Sequence, residues 1–259
     1  MIRFTVVTVT YNAAATIAPT LASVERQTHP YIEHLIIDGC SQDATLTEVR
    51  RYAERAGSRE GRSIVLVREP DSGLYDAMNK GLAQARGDYL FFLNAGDCLH
   101  ADDTLAAVAE QLDNYPRQRR PAVAYGETDI VDADGRFLRH RRLEAPDVLT
   151  ADSFLSGMLV CHQSFYVRTD MARTERYDLA YRYSADFDWC VRILRRASRR
   201  GIPVHHTHLV LTDYLAEGIT TRNHTRSLLE RARIMAHHYG WQRTLMAHAW
   251  FVVRAVIHR

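Results

Sequence analysis

Between Glu69 and Asp97 the chain reads EPDSGLYDAMNKGLAQARGDYLFFLNAGD, an order of patterns that few folds can accommodate. Leu74, Ala77, Met78, Gly81, Leu82 and Ala85 recur at helical spacing, with Asp76, Asn79, Lys80 and Gln84 opposite them. Asp71 and Ser72 are the expected caps at the start of this helix. Arg86-Gly87-Asp88 interrupts the period, and Tyr89 to Leu93 is an unbroken apolar run short enough for a strand covered on both faces. The run ends in Asn94-Ala95-Gly96-Asp97, and ligands of open α/β sheets collect at such carboxyl ends.

The preceding residues repeat the same grammar. Phe4 to Thr10, Ile32 to Asp38 and Ile64 to Arg68 read as strands, and Thr16 to Gln27 and Ala44 to Ala56 as helices between them. This alternation predicts right-handed βαβ units and a mostly parallel, Rossmann-like central sheet with helices on both faces. Beyond Asp97 the alternation loosens. A helix is expected over Thr104 to Tyr115, a hairpin from Ala122 to His140 about Asp132-Ala133-Asp134-Gly135, a mixed segment from Ala145 to Val167, a helix over Asp186 to Arg199 and a strand over His205 to Leu211. Asn223 to His258 reads as two helices divided near Gly240. The expected organisation is a nucleotide-sugar half over residues 1–97, an acceptor half of the same domain over 98–220, and a helical extension over 221–259.

A net charge of +2 gives no reason to expect a nucleic acid partner. Cys40, Cys98, Cys161 and Cys190 form no CxxC pair, so neither a zinc knuckle nor a disulfide framework is expected, and a reducing, cytoplasmic setting follows. The apolar run from Leu245 to Ile257 is shorter than the roughly 20 residues that span a bilayer, but it could lie on one. Arginine clusters at Arg117 to Arg120, Arg139 to Arg142 and Arg195 to Arg200 could join it in holding the inner face of an anionic membrane, and the last helix could also support a homo-oligomer.

The first strand is followed by Tyr11-Asn12-Ala13-Ala14-Ala15, with neither GxGxxG nor GxxxxGK[ST], which disfavours dinucleotide and P-loop sites. A sugar-phosphate nucleotidyltransferase is disfavoured on the same ground. The strand ends instead offer Thr8, Thr10, Asn12, Asp38, Glu69, Asp71, Asn94 and Asp97, a polar rim suited to a base, a ribose and a metal-bound diphosphate.

TVVTVTYNAAATIAPTLASVERQT, EHLIIDGCSQDATLTEV, the Glu69 to Asp97 stretch, VCHQSFYVR, ADFDWCVR and DYLAEGIT together resemble family 2 glycosyltransferases, in a consistent order from Thr5 to Thr220. The bacterial members that assemble cell-surface polysaccharides and glycolipids are the most similar in pattern. The resemblance implies a GT-A fold and inverting, hexosyltransferase-type transfer from a nucleoside-diphosphate sugar, UDP favoured, to a glycan or lipid-linked acceptor. It also implies a divalent cation, Mn²⁺ or Mg²⁺, on the diphosphate.

By the same resemblance, Asp38 matches the base-binding acid and Asp71 a second acid of the donor pocket, with Thr10, Asn12, Asn79 and Asn94 beside them. Asp97 matches the metal ligand, His162 and Gln163 the acceptor-side wall, and Asp186 the general base. For Asp38 a turn or cap role, and for His162 a buried, satisfied role, stand as alternatives. The usual Asp-x-Asp-Asp motif is reduced to Asn94, Gly96 and Asp97, leaving one carboxylate. That reduction keeps open a catalytically silent nucleotide- or glycan-binding homologue. Of the histidines at 205, 206 and 208, His206 and His208 share a strand face; without a matching ligand pattern, ordinary hydrogen bonds are expected.

Overall fold

The computed structural model describes residues 1–216 and 224–257. Strands β1 (Phe4–Thr10) and β4 (Tyr89–Phe92), threonine-rich and apolar, are buried throughout, as is β2 (Ile32–Asp38), whose Glu33, His34 and Asp38 are hydrogen-bonded, while β3 (Arg62–Arg68) forms the half-buried edge. They run parallel in the order β3-β2-β1-β4, with Thr10 opposite Asp38 and Asp38 opposite Arg68. All their carboxyl ends therefore open on one rim. Helices α1 (Ile17–Glu25), α2 (Thr45–Ala56) and α3 (Leu74–Gln84) make the crossovers.

The sheet continues past β4 without a break. Strand β8 (Phe165–Arg168) pairs antiparallel with β4 and with β6 (Val123–Val131), and β9 (Val204–Leu215) runs parallel to β6. Strand β7 (Phe137–His140) forms the expected hairpin with β6; Asp132 Oδ1 accepts from the N–H groups of Asp134 and Arg136, and Gly135 has φ 76°. The two-residue β5 (Cys98–Leu99) pairs with the far end of β9. Neither β5 nor β8 is apparent from periodicity, since each is too short to carry one.

Helix α4 (Thr104–Asp113) covers one face, with β1, β4 and β9 side chains beneath it. The other face packs against α3, α6 (Ala185–Arg199) and α7 (His224–Tyr239). A four-residue helix, α5 (Thr169–Ala172), follows β8, and α8 (Trp241–Ile257) ends the described chain. Gly240, at φ 81°, separates α7 from α8 as the sequence implies. Among the described residues no helix is long and apolar enough to cross a membrane. Glu217 to Thr220 of the DYLAEGIT block, Asn223 and His258 lie outside the described residues.

Two expectations for α3 are corrected. Its N-cap is Gly73, at φ 133°; Asp71 accepts from the Gly73 N–H, and Ser72 donates its N–H to Asp76. Leu74, the first helical residue, is exposed, while Tyr75 next to it is buried. The arginine clusters are also less free than the sequence suggests. Arg120 pairs with Asp113, Arg141 binds backbone carbonyls of 143 and 159, Arg195 bonds His238 and Arg196 pairs with Glu175.

Helix α3 lies on β1 closely enough that a Cβ at Gly81 would fall 2.4 Å from Val7 Cγ1. Gly81→Ala is therefore expected to lower stability by about 1–3 kcal/mol despite alanine's better helix propensity. Urea unfolding of the double variant with Val7→Ala should recover part of that loss; strictly additive losses would refute the close packing.

Candidate active site

Beyond the strand ends lies a cavity of about 280 Å³, lined by Tyr75 from α3, Asn94, His162, Gln163, Asp186 from α6 and Arg231 from α7, among others. Asp186 stands at the first turn of α6. Its Oδ1 accepts from the Tyr75 hydroxyl at 3.0 Å and from the Phe187 N–H at 2.9 Å, while Oδ2 accepts no hydrogen bond from the described residues. Burial, and then the neighbouring Asp186 charge, push the Tyr75 phenol well above its ordinary range, so it remains a donor. Tyr75 stacks on Tyr177 at 5.5 Å, and Tyr177 on Trp189 at 5.0 Å, so an aromatic column fixes the direction of the Tyr75 hydroxyl.

Helix α7 secures the same corner. Glu230 accepts from three successive backbone N–H groups, Arg182 at 2.7 Å, Tyr183 at 2.6 Å and Ser184 at 2.7 Å, and Ser184 Oγ lies 2.9 Å from Ser227 Oγ. The next residue, Arg231, sits over the Phe187 ring at 5.5 Å, and its buried Nε has no hydrogen-bond partner among the described residues. Asp188, two residues beyond Asp186, is turned away into a pair with Arg192 and His238, each at 2.7 Å.

Asp97 is 5% exposed; Oδ1 accepts from the Leu215 N–H at 3.1 Å and Oδ2 from Gln163 Nε2 at 2.7 Å. Burial pushes its carboxyl up to about 7, against the partial opposition of those two donors. Nearby on the rim, Asn94 Oδ1 and Thr10 Oγ1 are buried oxygens with no hydrogen-bond partner among the described residues. One confined carboxylate and an orphaned amide oxygen fit a hard dication that draws most of its oxygens from a substrate diphosphate and water.

With this geometry in place, the comparisons with known proteins are decisive. The family model described as glycosyl transferase family 2 matches residues 5–174. The chain belongs to glycosyl transferase family 2. The PGL/p-HBAD biosynthesis glycosyltransferase of Mycobacterium tuberculosis is 32% identical over 213 residues, which cover 82% of this chain and 76% of that protein. The putative teichuronic acid biosynthesis glycosyltransferase TuaG of Bacillus subtilis is 32% identical over 155 residues, 60% of this chain and 58% of TuaG. Residues 1–349 of S. aureus TarS in complex with UDP superpose with a TM-score of 0.65 at 16% identity, over 90% of this chain and 65% of that one. The mannosyltransferase PcManGT of Pyrobaculum calidifontis, with GDP-Man and Mn²⁺, gives 0.60 at 18% identity, over 97% and 75%. These structures share the GT-A fold.

The family 2 positions anticipated from sequence are distributed unevenly. Asp186, Asn94, His162 and Gln163 meet at the cavity, and Asp97 is bonded to Gln163. Several of them have other work. Gln163 donates from Nε2 to Asp97 and accepts from Cys161 Sγ at Oε1, while still lining the cavity. His162 bonds the Tyr177 hydroxyl through Nε2 at 2.7 Å and stacks on Phe92, and burial lowers it to about 4. Asn79 clamps the backbone of Tyr177 through both amide atoms, at 3.0 and 2.8 Å. It braces the aromatic column instead of reaching the rim.

On the nucleotide side, Asp38 is fully buried and bonded through both oxygens to Ser41, with Arg68 at 3.7 Å. These bonds hold it in the turn that follows β2. Asn12, at φ 48°, accepts from the Gln42 N–H and donates its own N–H to Ser41, tying the β1 and β2 loops together. Asp71 abuts Gly39, where a Cβ would fall 2.4 Å from its Oδ2, and Tyr11 beside it is 64% exposed. Tyr75, Glu230 and Arg231 were missed. A hydroxyl on a buried helical tyrosine demands a partner and was a usable signal; the two α7 residues act across about 45 positions of chain and left no local trace.

Without a cation, ionising Asp97 opposes folding. Its carboxyl lies above its ordinary value of 3.8 in the folded state, so its contribution is full below about 4 and is lost as pH rises through about 7. Metal-free protein is expected to lose melting temperature between about pH 5 and about pH 8 more steeply than Asp97→Asn does. Parallel profiles for the two proteins would contradict the raised ionisation.

Proposed function

We propose that this chain transfers a hexose, with inversion, from a nucleoside-diphosphate sugar to a hydroxyl of a growing surface glycan or lipid-linked acceptor. The observation that carries the reading is Asp186: a carboxylate at a cavity wall, oriented by Tyr75 through one oxygen, with the other oxygen open to a substrate proton. The names of the relatives, one in PGL/p-HBAD biosynthesis and one in teichuronic acid biosynthesis, support the acceptor class. A UDP-sugar is the favoured donor on the sequence resemblance.

In the proposed reaction the acceptor hydroxyl oxygen bonds to the anomeric carbon as Asp186 Oδ2 takes its proton, and the bond from that carbon to the diphosphate oxygen breaks on the opposite face. Tyr75 keeps Asp186 aligned, and the Tyr177 and Trp189 rings keep Tyr75 aligned. Asp97 and Asn94 would hold a divalent cation, which supplies charge neutralisation for the departing diphosphate. The Arg231 guanidinium adds positive charge to the same cavity, which suits a site whose acidic motif has shrunk to one carboxylate.

The outward half of α8 exposes Trp241, Leu245, Met246 and Trp250, which supports peripheral contact with an anionic membrane carrying such an acceptor. Co-sedimentation with anionic vesicles should fall when Trp241 and Trp250 are both changed to serine; equal partitioning would remove α8 from the proposal.

Calorimetry with a panel of nucleoside diphosphates and nucleotide sugars, with and without Mn²⁺, tests the donor directly. Saturable binding of at least one is expected, strengthened by Mn²⁺ in the wild type and not in Asp97→Asn, and no binding by any of them would overturn the proposal. Asp186→Asn should then slow release of nucleoside diphosphate in the presence of acceptor by about 10²- to 10⁴-fold with donor affinity unchanged. Binding without turnover in the wild type would favour the silent homologue instead.

A further inference from the structure

We propose that His206, His208 and Asp147 form a second metal site, separate from the reaction cavity, that takes a transition-metal dication of the zinc class. The expectation of ordinary hydrogen bonds holds for His205 and fails for His206. His205 is satisfied on both nitrogens, by the Tyr115 hydroxyl at 3.2 Å and Gln111 Oε1 at 2.8 Å. His206, with its side chain 7% exposed, has both ring nitrogens buried and neither in a hydrogen bond among the described residues. A neutral imidazole has one donor and one acceptor to satisfy, and burying both unpaired is costly unless something else takes the lone pair.

The backbone is shaped to bring the second histidine to it. In the β6–β9 ladder Tyr125 faces His206 and Glu127 faces Val210, so one residue of β6 spans three of β9. This bulge puts His208 at φ 56°, an unfavourable region for a non-glycine residue, and brings its ring centroid to 4.1 Å from that of His206. Gly126 makes the bulge possible: a Cβ there would fall 2.4 Å from the Leu209 carbonyl oxygen.

The third ligand is delivered by the same strand. Tyr125 stacks flat on His206, with centroids 4.8 Å apart and planes at 4°, and donates its hydroxyl to the carbonyls of Pro146 and Asp147. Asp147 Oδ1 thereby comes to 3.7 Å from His206 Nδ1, and one ligand atom from each of the three residues lies within 4.8 Å of the others. A tetrahedral zinc site has ligand atoms about 3.4 Å apart for bonds of about 2.1 Å. Asp147, 88% exposed in its side chain, has room to close the difference. Two imidazoles and a carboxylate form a nitrogen-rich set suited to zinc more than to Mg²⁺, with an open fourth position for water. The bound ion would pin the β9 bulge to the segment after β7, whose Arg141 and Leu143 line the reaction cavity.

Titration of metal-stripped, full-length protein with Zn²⁺ by calorimetry, and the visible spectrum of its Co²⁺ form, test the site. His206→Phe keeps the stacking on Tyr125, His208→Asn tolerates the left-handed backbone, and Asp147→Ala alters only an exposed side chain. One zinc equivalent is expected to survive in Asp97→Asn, to bind at least about tenfold more weakly in each of the three other variants, and to raise the wild-type melting temperature. A tetrahedral Co²⁺ spectrum should disappear with the same three changes. Absence of saturable zinc binding in the wild type, or unchanged affinity in all three variants, would overturn the proposal.

Discussion

Strand β4 has four residues and no exposed face, and its two edges are satisfied by neighbours running in opposite directions, β1 parallel and β8 antiparallel. This arrangement holds the two halves of the molecule in one sheet. A strand so short, buried on both sides, can be formed only if both edges find backbone partners, because an unpaired buried N–H or C=O costs too much to leave. Once β4 is closed this way, Asn94 and the acidic loop behind it emerge beside the 3₁₀ turn that carries His162 and Gln163. The rim of the parallel half and the wall of the antiparallel half therefore meet at the end of β4.

The two acids near that meeting point differ in how they are held. Asp97 is enclosed, pushed up by burial and gripped by Gln163 and the Leu215 N–H, a form suited to waiting for positive charge. Asp186 is half-buried and directed through one oxygen only, with the other left open. A carboxylate that must accept a proton needs an exposed lone pair, and one that must hold a cation needs low competition from water. On the proposed roles, the fold separates these demands by placing one acid behind the sheet end and the other at a helix start supported by α7.

Much of this was legible in the chain. The βαβ alternation, the buried β4 run, the hairpin turn at Asp132 to Gly135 and the break at Gly240 are local patterns, and local patterns survive in sequence because side-chain period and turn chemistry act over a few residues. The family pattern singles out Asp97 and Asp186, and the structure places Asp186 at the cavity and Asp97 on Gln163 in its wall. What those positions touch was not legible in the chain. Gln163, His162, Asn79, Asp38 and Asn12 each have at least one side-chain atom hydrogen-bonded to another part of the protein.

The sequence by itself determined the order of strands and helices, the rim on which polar residues gather and the presence of a single acid in a motif that usually has more. Tertiary structure decided which of the rim residues remain free. Hydrogen bonds and burial between residues tens of positions apart leave no periodic mark, so neither Tyr75 on Asp186 nor Glu230 on the backbone before α6 could be read in advance. The same holds for His206 and His208: their spacing was visible, but the bulge that turns them toward each other and Asp147 exists only because Gly126 on the neighbouring strand leaves room for it.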